Sequence, residues 1–292
     1  MDSNIQIGID LGGTKIEIIA LSGQIEIYRK RILTEAHKGS DHIIHQINDI
    51  YQQALIHISG ASHTLGVCTP GSIAAETGLL RNSNTTCLNG LPLQHMLEDK
   101  LGHPLLIEND ANCFALAEAL RGAGQGHLLV FGVIMGTGCG GGLVYNKQLR
   151  HGPNLISGEW GHSILHTNGN ACYCGKHGCV ETYISGAGLS KILAAQGMHT
   201  SLEAFFQKED KNHLERKTYQ HFINDFAQAM GNVINSIDPD IIILGGGLSN
   251  IDALYTDGVR AINEYVFSES LKTPIVRNQL GDSAGVFGAA LL

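Results

Sequence analysis

Basic residues are scarce in this 292-residue sequence, in which 19 Lys and Arg stand against 27 Asp and Glu for a net charge of −8. An acidic excess argues against nucleic acid or an anionic membrane surface as the main partner. It leaves local anion sites open, because backbone N–H groups can hold phosphate without basic side chains. We therefore expect small-molecule partners, and neither nucleic acid nor a membrane.

Long apolar runs are also lacking. The longest one, residues 128–135, is far shorter than the roughly 20 residues that a membrane-spanning helix needs. The sequence opens with MDSNIQIGID, which has neither a basic region nor an apolar signal segment. These features predict a cytoplasmic protein in which the seven cysteines are mostly reduced.

No linker or low-complexity segment interrupts the chain, and its length and its 43% of apolar residues suit about two domains. A strand, a turn containing Gly and Thr, and a returning strand occur near residues 5–21 and again near 128–149. A helix at 219–237 then leads to a fully apolar strand at 241–244, typical of a parallel sheet. The repeat predicts an internal duplication of two α/β halves, with a cleft between them as the ligand site.

The expected division is a smaller N-terminal α/β domain over residues 1–112 and a larger C-terminal α/β domain over residues 113–280. We expect a final helix at about 281–292 to pack back onto the smaller domain.

Each half contains a glycine turn suited to phosphate. Asp10 ends the first strand, where an acid can hold hydrated Mg²⁺, and the glycines after it let the backbone approach a phosphate. Alone, this motif fits an ordinary hairpin equally well. A second turn, Gly136-Thr137-Gly138, lies at the equivalent point of the second half. The pair favours a polyphosphate that both halves hold.

Asp110 lies where a short buried strand meets a helix, in the segment Glu108-Asn109-Asp110. One interpretation is a helix N-cap, a common reason for Asp at such a place. The other is a general base that accepts a proton from an attacking hydroxyl, kept ionised by the positive helix end. The sequence leaves both interpretations open.

Three cysteines, Cys172, Cys174 and Cys179, fall within eight residues, and His162 comes ten residues before the first of them. This set matches a tetrahedral Cys₃His zinc site. His166 and His177 are alternative fourth ligands, and a set of free thiols is the other interpretation. A closed set of four ligands leaves no coordination position open, so the predicted zinc is structural.

Together these motifs resemble the bacterial ROK sugar kinases, which belong to the superfamily of actin-like (ribonuclease H-like) ATPase domains. The resemblance runs from residue 7 to the final Gly-Ala-Ala, nearly the whole chain. It rests on IGIDLGGTK at 7–15, ENDANCFALAEA at 108–119, GTGCGGG at 136–142, GEWGH at 158–162, CYCGKHGCVET at 172–182 and DPDIIILGGGLSN at 238–250.

The resemblance implies an ATP-dependent sugar kinase with MgATP as co-substrate, a structural zinc and a homodimeric state. It implies that Asp110 is the base, and that His162, Cys172, Cys174 and Cys179 bind the zinc. The implied phosphate and nucleotide residues are Asp10, Gly12, Gly13, Thr14, Lys15, Gly136, Thr137, Gly138, Gly245, Gly246 and Gly247. The implied sugar-binding residues are Gly71, Asn84, Asn109, Asp110, Glu159, His162 and Glu181.

Within the family, RNSNTTCLNG at 81–90 and GTGCGGG most resemble fructokinases that tolerate mannose or glucose. Fructose is therefore the expected sugar, with an N-acetylglucosamine kinase as the alternative. Only nine residues separate His162 from Cys172, a short loop for either group, and the resemblance places this loop beside the sugar.

Two other classes of function compete. Sugar-responsive repressors of this family carry a helix-turn-helix domain before the first phosphate strand, which here begins near residue 5. That position and the acidic charge disfavour a repressor. A zinc hydrolase would need an open metal position, which a closed Cys₃His set does not offer.

Overall fold

A computed structural model describes residues 5–292. The strands are β1 (Ile5–Leu11), β2 (Lys15–Ser22), β3 (Ile25–Leu33), β4 (His63–Thr69), β5 (Ser72–Ile73), β6 (Leu80–Arg81), β7 (Leu106–Asn109), β8 (Leu129–Met135), β9 (Cys139–Tyr145), β10 (Gln148–Leu149), β11 (Ile241–Gly245) and β12 (Ile275–Arg277). The α-helices are α1 (Ser40–His57), α2 (Leu93–Leu101), α3 (Asp110–Arg121), α4 (Glu181–Ile184), α5 (Gly186–Ala195), α6 (Leu202–Gln207), α7 (His213–Ile237), α8 (Asp257–Ile262) and α9 (Ala284–Ala290).

The chain forms two compact units. The first unit contains the residues up to Ala117 together with Asp282–Leu292, and the second unit contains Glu118–Gly281. The chain first passes from one unit to the other inside α3, between Ala117 and Glu118. The boundary expected at residue 112 lies in the same helix. The chain returns to the first unit at Asp282, before α9, so the C-terminal helix belongs to the first unit.

The sheet of the first unit has the order β3-β2-β1-β4-β7. Strands β1, β2 and β3 are antiparallel neighbours, whereas β4 runs parallel to β1 and β7 runs parallel to β4. Alternate residues of β1 are fully buried, and Ile43, Ile47 and Ile50 of α1 join them in one apolar core. Gly8 of β1 lies directly against the backbone of α9, where a larger side chain would clash.

The sheet of the second unit repeats this arrangement, with the order β10-β9-β8-β11-β12. Strands β8, β9 and β10 are antiparallel, whereas β11 is parallel to β8 and β12 is parallel to β11. Phe222, Phe226 and Met230 form the buried stripe of α7 in this unit. The shared strand order confirms the predicted fold class of two duplicated α/β domains.

Two local expectations need correction. The returning strand expected up to residue 149 breaks after Tyr145, because Asn146 and Lys147 adopt left-handed φ values of 48° and 67° and turn the chain. Helix α7 begins at His213 rather than near 219. Asn212 and Glu215 form a reciprocal capping box there, which extends the helix beyond its apolar stripe.

Between residues 5 and 292, no helix is both long enough and apolar enough to cross a membrane.

Glu118 is the first residue of the second unit, and its side chain is fully buried. Its carboxylate accepts hydrogen bonds from the backbone N–H groups of Ala123 at 2.9 Å, Gln279 at 3.0 Å and Leu280 at 2.8 Å. Several backbone donors make a buried carboxylate tolerable, because they replace the water that it loses. Glu118 therefore connects the start of the second unit to the end of the same unit, at Gln279 and Leu280.

Glu118→Gln is expected to lower the free energy of unfolding by about 1–3 kcal/mol, because the amide NH₂ would face backbone donors in place of an acceptor. Chemical denaturation followed by circular dichroism measures this loss. Glu264→Gln is the matched control, since Glu264 is exposed and its substitution should leave stability within about 0.5 kcal/mol. Equal stability of the two variants would contradict the role of Glu118.

Candidate active site

The carboxyl ends of three parallel strands bring the first group of predicted residues together. In the first unit, Asp10 of β1 pairs in register with Cys68 of β4, and Cys68 pairs with Glu108 of β7. Thr69 pairs with Asn109 one residue further on. Asp10 and the Glu108-Asn109-Asp110 segment therefore lie at the same edge of the sheet.

Asp10 is half-buried at this edge. Burial raises the pKa of its carboxyl group to about 6, with smaller upward contributions from the charges of Asp110 and Glu17, while a hydrogen bond to Cys68 and the charge of Lys15 oppose the rise. A carboxylate whose charge is this poorly solvated gains most from a cation beside it. Gly285 keeps the space next to it open, since a Cβ there would lie 2.7 Å from Asp10 Oδ2.

The turn after Asp10 is closed by local hydrogen bonds. Gly12 donates its N–H to the Lys15 carbonyl at 3.0 Å, and Thr34 Oγ1 donates to the Gly12 carbonyl at 2.7 Å. A Cβ on Gly13 would lie 3.1 Å from Asn84 Oδ1. The structure thus places Asn84, an exposed residue, directly against the predicted phosphate turn.

Asn109, rather than Asp110, caps helix α3. Its Oδ1 accepts the N–H of Asn112 at 2.7 Å, the bond that an N-cap residue makes to the third residue of a helix. Asp110 is exposed, and its Oδ1 accepts the N–H of Ala111 at 2.9 Å. Capping is therefore not the reason for an acid at position 110.

In the second unit, the turn at residues 136–138 is held by the start of α5. Gly186 donates to the Gly136 carbonyl at 2.7 Å, and Ala187 donates to the Thr137 carbonyl at 3.2 Å. Glu181 Oε2 accepts the N–H of Cys139 at 3.0 Å, directly after the turn. These bonds connect the predicted phosphate turn to the predicted sugar-binding residue Glu181.

The same turn opens onto a cavity of about 1050 Å³. Of the predicted nucleotide residues, Gly136, Thr137 and Gly247 line it, whereas Gly138, Gly245 and Gly246 are not among its lining residues. Gly246 has a φ of 78° and lies against the backbone of Met135 and Gly136, so it supports the turn from behind. The remaining lining residues are Gly186, Ala187, Ser190, Leu202, Glu203, Phe206, Gln207, Leu248, Asn250, Ile251, Asp252 and Ala253.

The sequence analysis did not predict that residues of α5 and α6 line this cavity. The start of α5 carried a usable signal, because Ser185 caps it by accepting the Gly188 N–H at 2.9 Å and small residues follow. Such a helix start is suited to anions. Leu202 and Phe206 of α6 carried no such signal, because apolar residues at helical spacing are usual in any core.

Four side chains form a compact metal-type cluster in the second unit. One ligand atom from each of His162, Cys172, Cys174 and Cys179 lies within 4.8 Å of all the others. Tetrahedral zinc separates two sulfurs by about 3.8 Å and a sulfur from a nitrogen by about 3.5 Å. The Sγ atoms of Cys174 and Cys179 are 3.6 Å apart, and Cys172 Sγ lies 3.6 Å from His162 Nδ1. The donor set fits zinc.

The alternative fourth ligands lie outside this cluster. His166 instead makes a 2.7 Å contact from Nε2 to Asp225 Oδ1 on α7. Burial raises the pKa of the Asp225 carboxyl group, and the hydrogen bond to His166 opposes that rise. His166 therefore joins the cysteine-bearing loop to the core helix.

The predicted sugar-binding residues of the second unit lie beside the cluster. Glu159 immediately precedes a short 3₁₀ helix, Trp160–His162, and Trp160 Nε1 donates to the Gly140 carbonyl at 2.8 Å to hold that segment on β9. Tyr173 Oη lies 3.1 Å from His162 Nε2. Partial desolvation of the hydroxyl end of this largely exposed side chain raises the pKa of Tyr173 to about 12, and the charges of Glu181 and Glu159 add to the rise. Tyr173 thus contacts His162 and lies close enough to Glu159 and Glu181 for their charges to act on it.

The sequence matches the ROK family over residues 6–292. An N-acetyl-D-glucosamine kinase of Histophilus somni (strain 129Pt) is 36% identical over 300 residues, which cover 98% of this chain and 97% of that protein. An N-acetylgalactosamine kinase of Shewanella sp. (strain ANA-3) is 34% identical over 304 residues, which cover 98% of this chain and 95% of that protein.

Solved structures show the same likeness. A ROK hexokinase from Thermus thermophilus has a TM-score of 0.88 at 27% identity and covers 98% of this chain and 97% of its own. A ROK family glucokinase from Streptomyces griseus, in complex with glucose and AMPPNP, has a TM-score of 0.72 at 25% identity and covers 98% of both chains. The likeness includes the strands of both units.

Proposed function

This chain belongs to the ROK family and is a sugar kinase, and from that premise we propose that it phosphorylates N-acetylglucosamine with MgATP. The observation that carries the choice of sugar is the 36% identity, over 98% of the chain, to a kinase named for that sugar. Fructose, the sugar expected from the motifs, finds no such support. The comparisons therefore favour the amino-sugar alternative.

We assign the chemical step to Asp110. Its carboxylate accepts the proton of the sugar hydroxyl as that oxygen bonds to the γ-phosphorus of ATP, and the bond from the γ-phosphorus to the bridging oxygen breaks to release ADP. The exposed carboxylate at the start of α3 is suited to this role. The positive end of the helix favours its ionised, proton-accepting form.

The glycine turns hold the nucleotide in this proposal. In the first unit, Asp10 faces the magnesium that accompanies ATP, and Gly12, Gly13, Thr14 and Lys15 approach the phosphates. In the second unit, Gly136, Thr137 and Gly138 do the same, and Gly245, Gly246 and Gly247 border the adenosine. The cavity of about 1050 Å³ at the second turn supports this assignment, because it is large enough for a nucleoside.

The sugar contacts are assigned to the polar residues that the family resemblance implies. They are Asn84, Asn109, Glu159, Glu181 and the backbone at Gly71. His162 supports this set without contacting the sugar itself, because its Nδ1 faces Cys172 Sγ and its Nε2 faces Tyr173 Oη. Asn109 caps α3 with its oxygen, so its NH₂ group is the part that serves the sugar. Carboxylates suit sugar hydroxyls because each oxygen accepts a hydroxyl hydrogen.

Zinc has a structural role in this proposal, held by His162, Cys172, Cys174 and Cys179. When bound, it closes the loop and adds directly to folding free energy. The loop then holds Glu159 and Glu181 at its two ends. His162 binds through Nδ1, the nitrogen that faces Cys172.

A panel of sugars tests the substrate assignment. With MgATP, release of ADP is measured for N-acetylglucosamine, N-acetylgalactosamine, N-acetylmannosamine, glucose, mannose and fructose. We expect kcat/KM for N-acetylglucosamine to exceed that for fructose by roughly 100-fold, because a site built to bond an acetamido group discriminates against sugars without it. The product is expected to be the 6-phosphate, identified by ³¹P NMR.

Two outcomes would count against this proposal. A higher kcat/KM for fructose would restore the fructokinase assignment. A higher value for N-acetylgalactosamine would keep the acetamido group as the recognised feature and move the assignment to the C4 epimer.

A further inference from the structure

Tyr173 lies between two predicted zinc ligands, and its hydroxyl meets the imidazole of a third. Its Oη is 3.1 Å from His162 Nε2, and the two rings meet edge to face with centroids 5.2 Å apart. Nevertheless, 74% of Tyr173 is exposed. The ring therefore projects from the loop while its hydroxyl is held in place.

The ring nitrogen of His162 that binds the metal determines which atom donates in the contact between His162 and Tyr173. His162 Nδ1 faces Cys172 Sγ at 3.6 Å, so a neutral imidazole that binds the metal there carries its hydrogen at Nε2. That N–H donates to Tyr173 Oη. Because Tyr173 Oη accepts that hydrogen bond, its own hydrogen is directed elsewhere. The Tyr173 hydroxyl can therefore donate to a ligand.

The neighbouring carboxylates are hydrogen-bond acceptors, whereas the Tyr173 hydroxyl is a donor. Glu159 and Glu181 are acceptors when ionised, and Glu181 already accepts the Cys139 N–H. They can receive the hydrogens of sugar hydroxyls, but they cannot donate to a carbonyl oxygen. Among Glu159, His162, Tyr173 and Glu181, Tyr173 is the side chain that retains a hydrogen for such an oxygen.

We propose that Tyr173 is a specificity-determining residue whose hydroxyl, held by His162, donates a hydrogen bond to the acyl oxygen of a 2-acetamido sugar. The exposed face of its ring lies along the acetyl methyl group. This inference rests on the proposed function, because it requires an N-acetylated substrate. It assigns the recognition of the acetamido group to the short loop between His162 and Cys179.

Tyr173→Phe keeps the ring and removes the hydroxyl. We expect kcat/KM for N-acetylglucosamine to fall about 10-fold, mainly through a higher KM, because one hydrogen bond to an uncharged acceptor is lost. The kcat/KM for sugars without an acetamido group that the wild type turns over should change less than about twofold. Calorimetric titration of N-acetylglucosamine without ATP should show the same loss of affinity, while zinc content and Tm stay at the wild-type values.

Tyr183→Phe is the matched control. Tyr183 of α4 accepts the N–H of Asn170 at its Oη at 2.8 Å, so this variant removes a phenol hydroxyl that contacts the backbone of the same loop instead of His162. Its preference among sugars should equal that of the wild type.

The outcomes separate the inference from its premise. An unchanged sugar preference in Tyr173→Phe, or an equal loss for all sugars, overturns the role of Tyr173 and leaves the proposed substrate intact. A wild-type enzyme that phosphorylates glucose or fructose but not N-acetylglucosamine overturns the proposed substrate, and the inference with it.

Discussion

Replacing Asp110 with asparagine is expected to lower kcat by roughly 10²- to 10⁴-fold, while ATP and the sugar still bind. Asparagine keeps the shape of the side chain but cannot accept a proton. The cap of α3 is Asn109, whose bond to the Asn112 N–H does not involve Asp110, so the helix start should survive. Steady-state kinetics measures kcat, and sugar titration measures binding separately.

One control variant and one comparison variant accompany this prediction. Asp41→Asn removes an exposed acid from the first turn of α1, away from the proposed site, and should leave kcat unchanged. Asn109→Ala should cost about 1 kcal/mol of stability through the lost cap and raise the KM for the sugar.

Phosphoryl transfer often has a loose transition state in which positioning supplies much of the rate, so a 10²-fold loss already fits a base. A loss of kcat below about threefold would contradict the assignment of Asp110 as base. A higher KM with unchanged kcat would instead make Asp110 a sugar-binding residue.

Zinc removal is expected to have the second large effect. Protein purified without chelator should contain about one zinc per chain, and Cys174→Ser should lose it, with a fall in Tm of roughly 10 °C or more. Sugar affinity should fall as well, because Glu181 follows the last cysteine ligand by two residues and Glu159 precedes His162 by three. Metal analysis by mass spectrometry and calorimetry measure these effects.

Cys87→Ser is the control for this experiment. Cys87 is a half-buried thiol of the first unit and lies outside the cluster, so its replacement should leave the zinc content unchanged. Wild-type protein without zinc would refute the site, and full zinc content in Cys174→Ser would remove that residue from it.

Local patterns explain why much of the fold was predictable. The two strand–turn–strand repeats near residues 5–21 and 128–149 depend on alternation and on glycine turns, which neighbouring residues specify. They correctly indicated two duplicated α/β units, and the structure adds that the two sheets share one strand order. The break after Tyr145 was missed: Asn146 is of a residue type that favours left-handed conformations, but Lys147 is not, and no glycine marks the turn.

Several features of the candidate site depended on the tertiary structure. The sequence allowed three histidines as the fourth ligand, and the fold brought Nδ1 of His162 to the cysteines while His166 turned to Asp225. It allowed Asp110 to be a cap, and the fold used Asn109. Which histidine joins the cysteines and which residue caps α3 both depend on where the side chains point, and spacing along the chain does not specify that.

By itself, the sequence determined the duplicated α/β fold, the family and the candidate ligands, because glycine turns, strand alternation and cysteine spacing are properties of adjacent residues. Only the tertiary structure decided which residues surround them. Residues 186 and 187 meet the turn at residues 136–138, and Glu118 meets Gln279 and Leu280, across long stretches of chain. Tyr173 meets His162 only because the loop folds back on itself. Such contacts arise when distant segments pack into one core, and no local pattern records them.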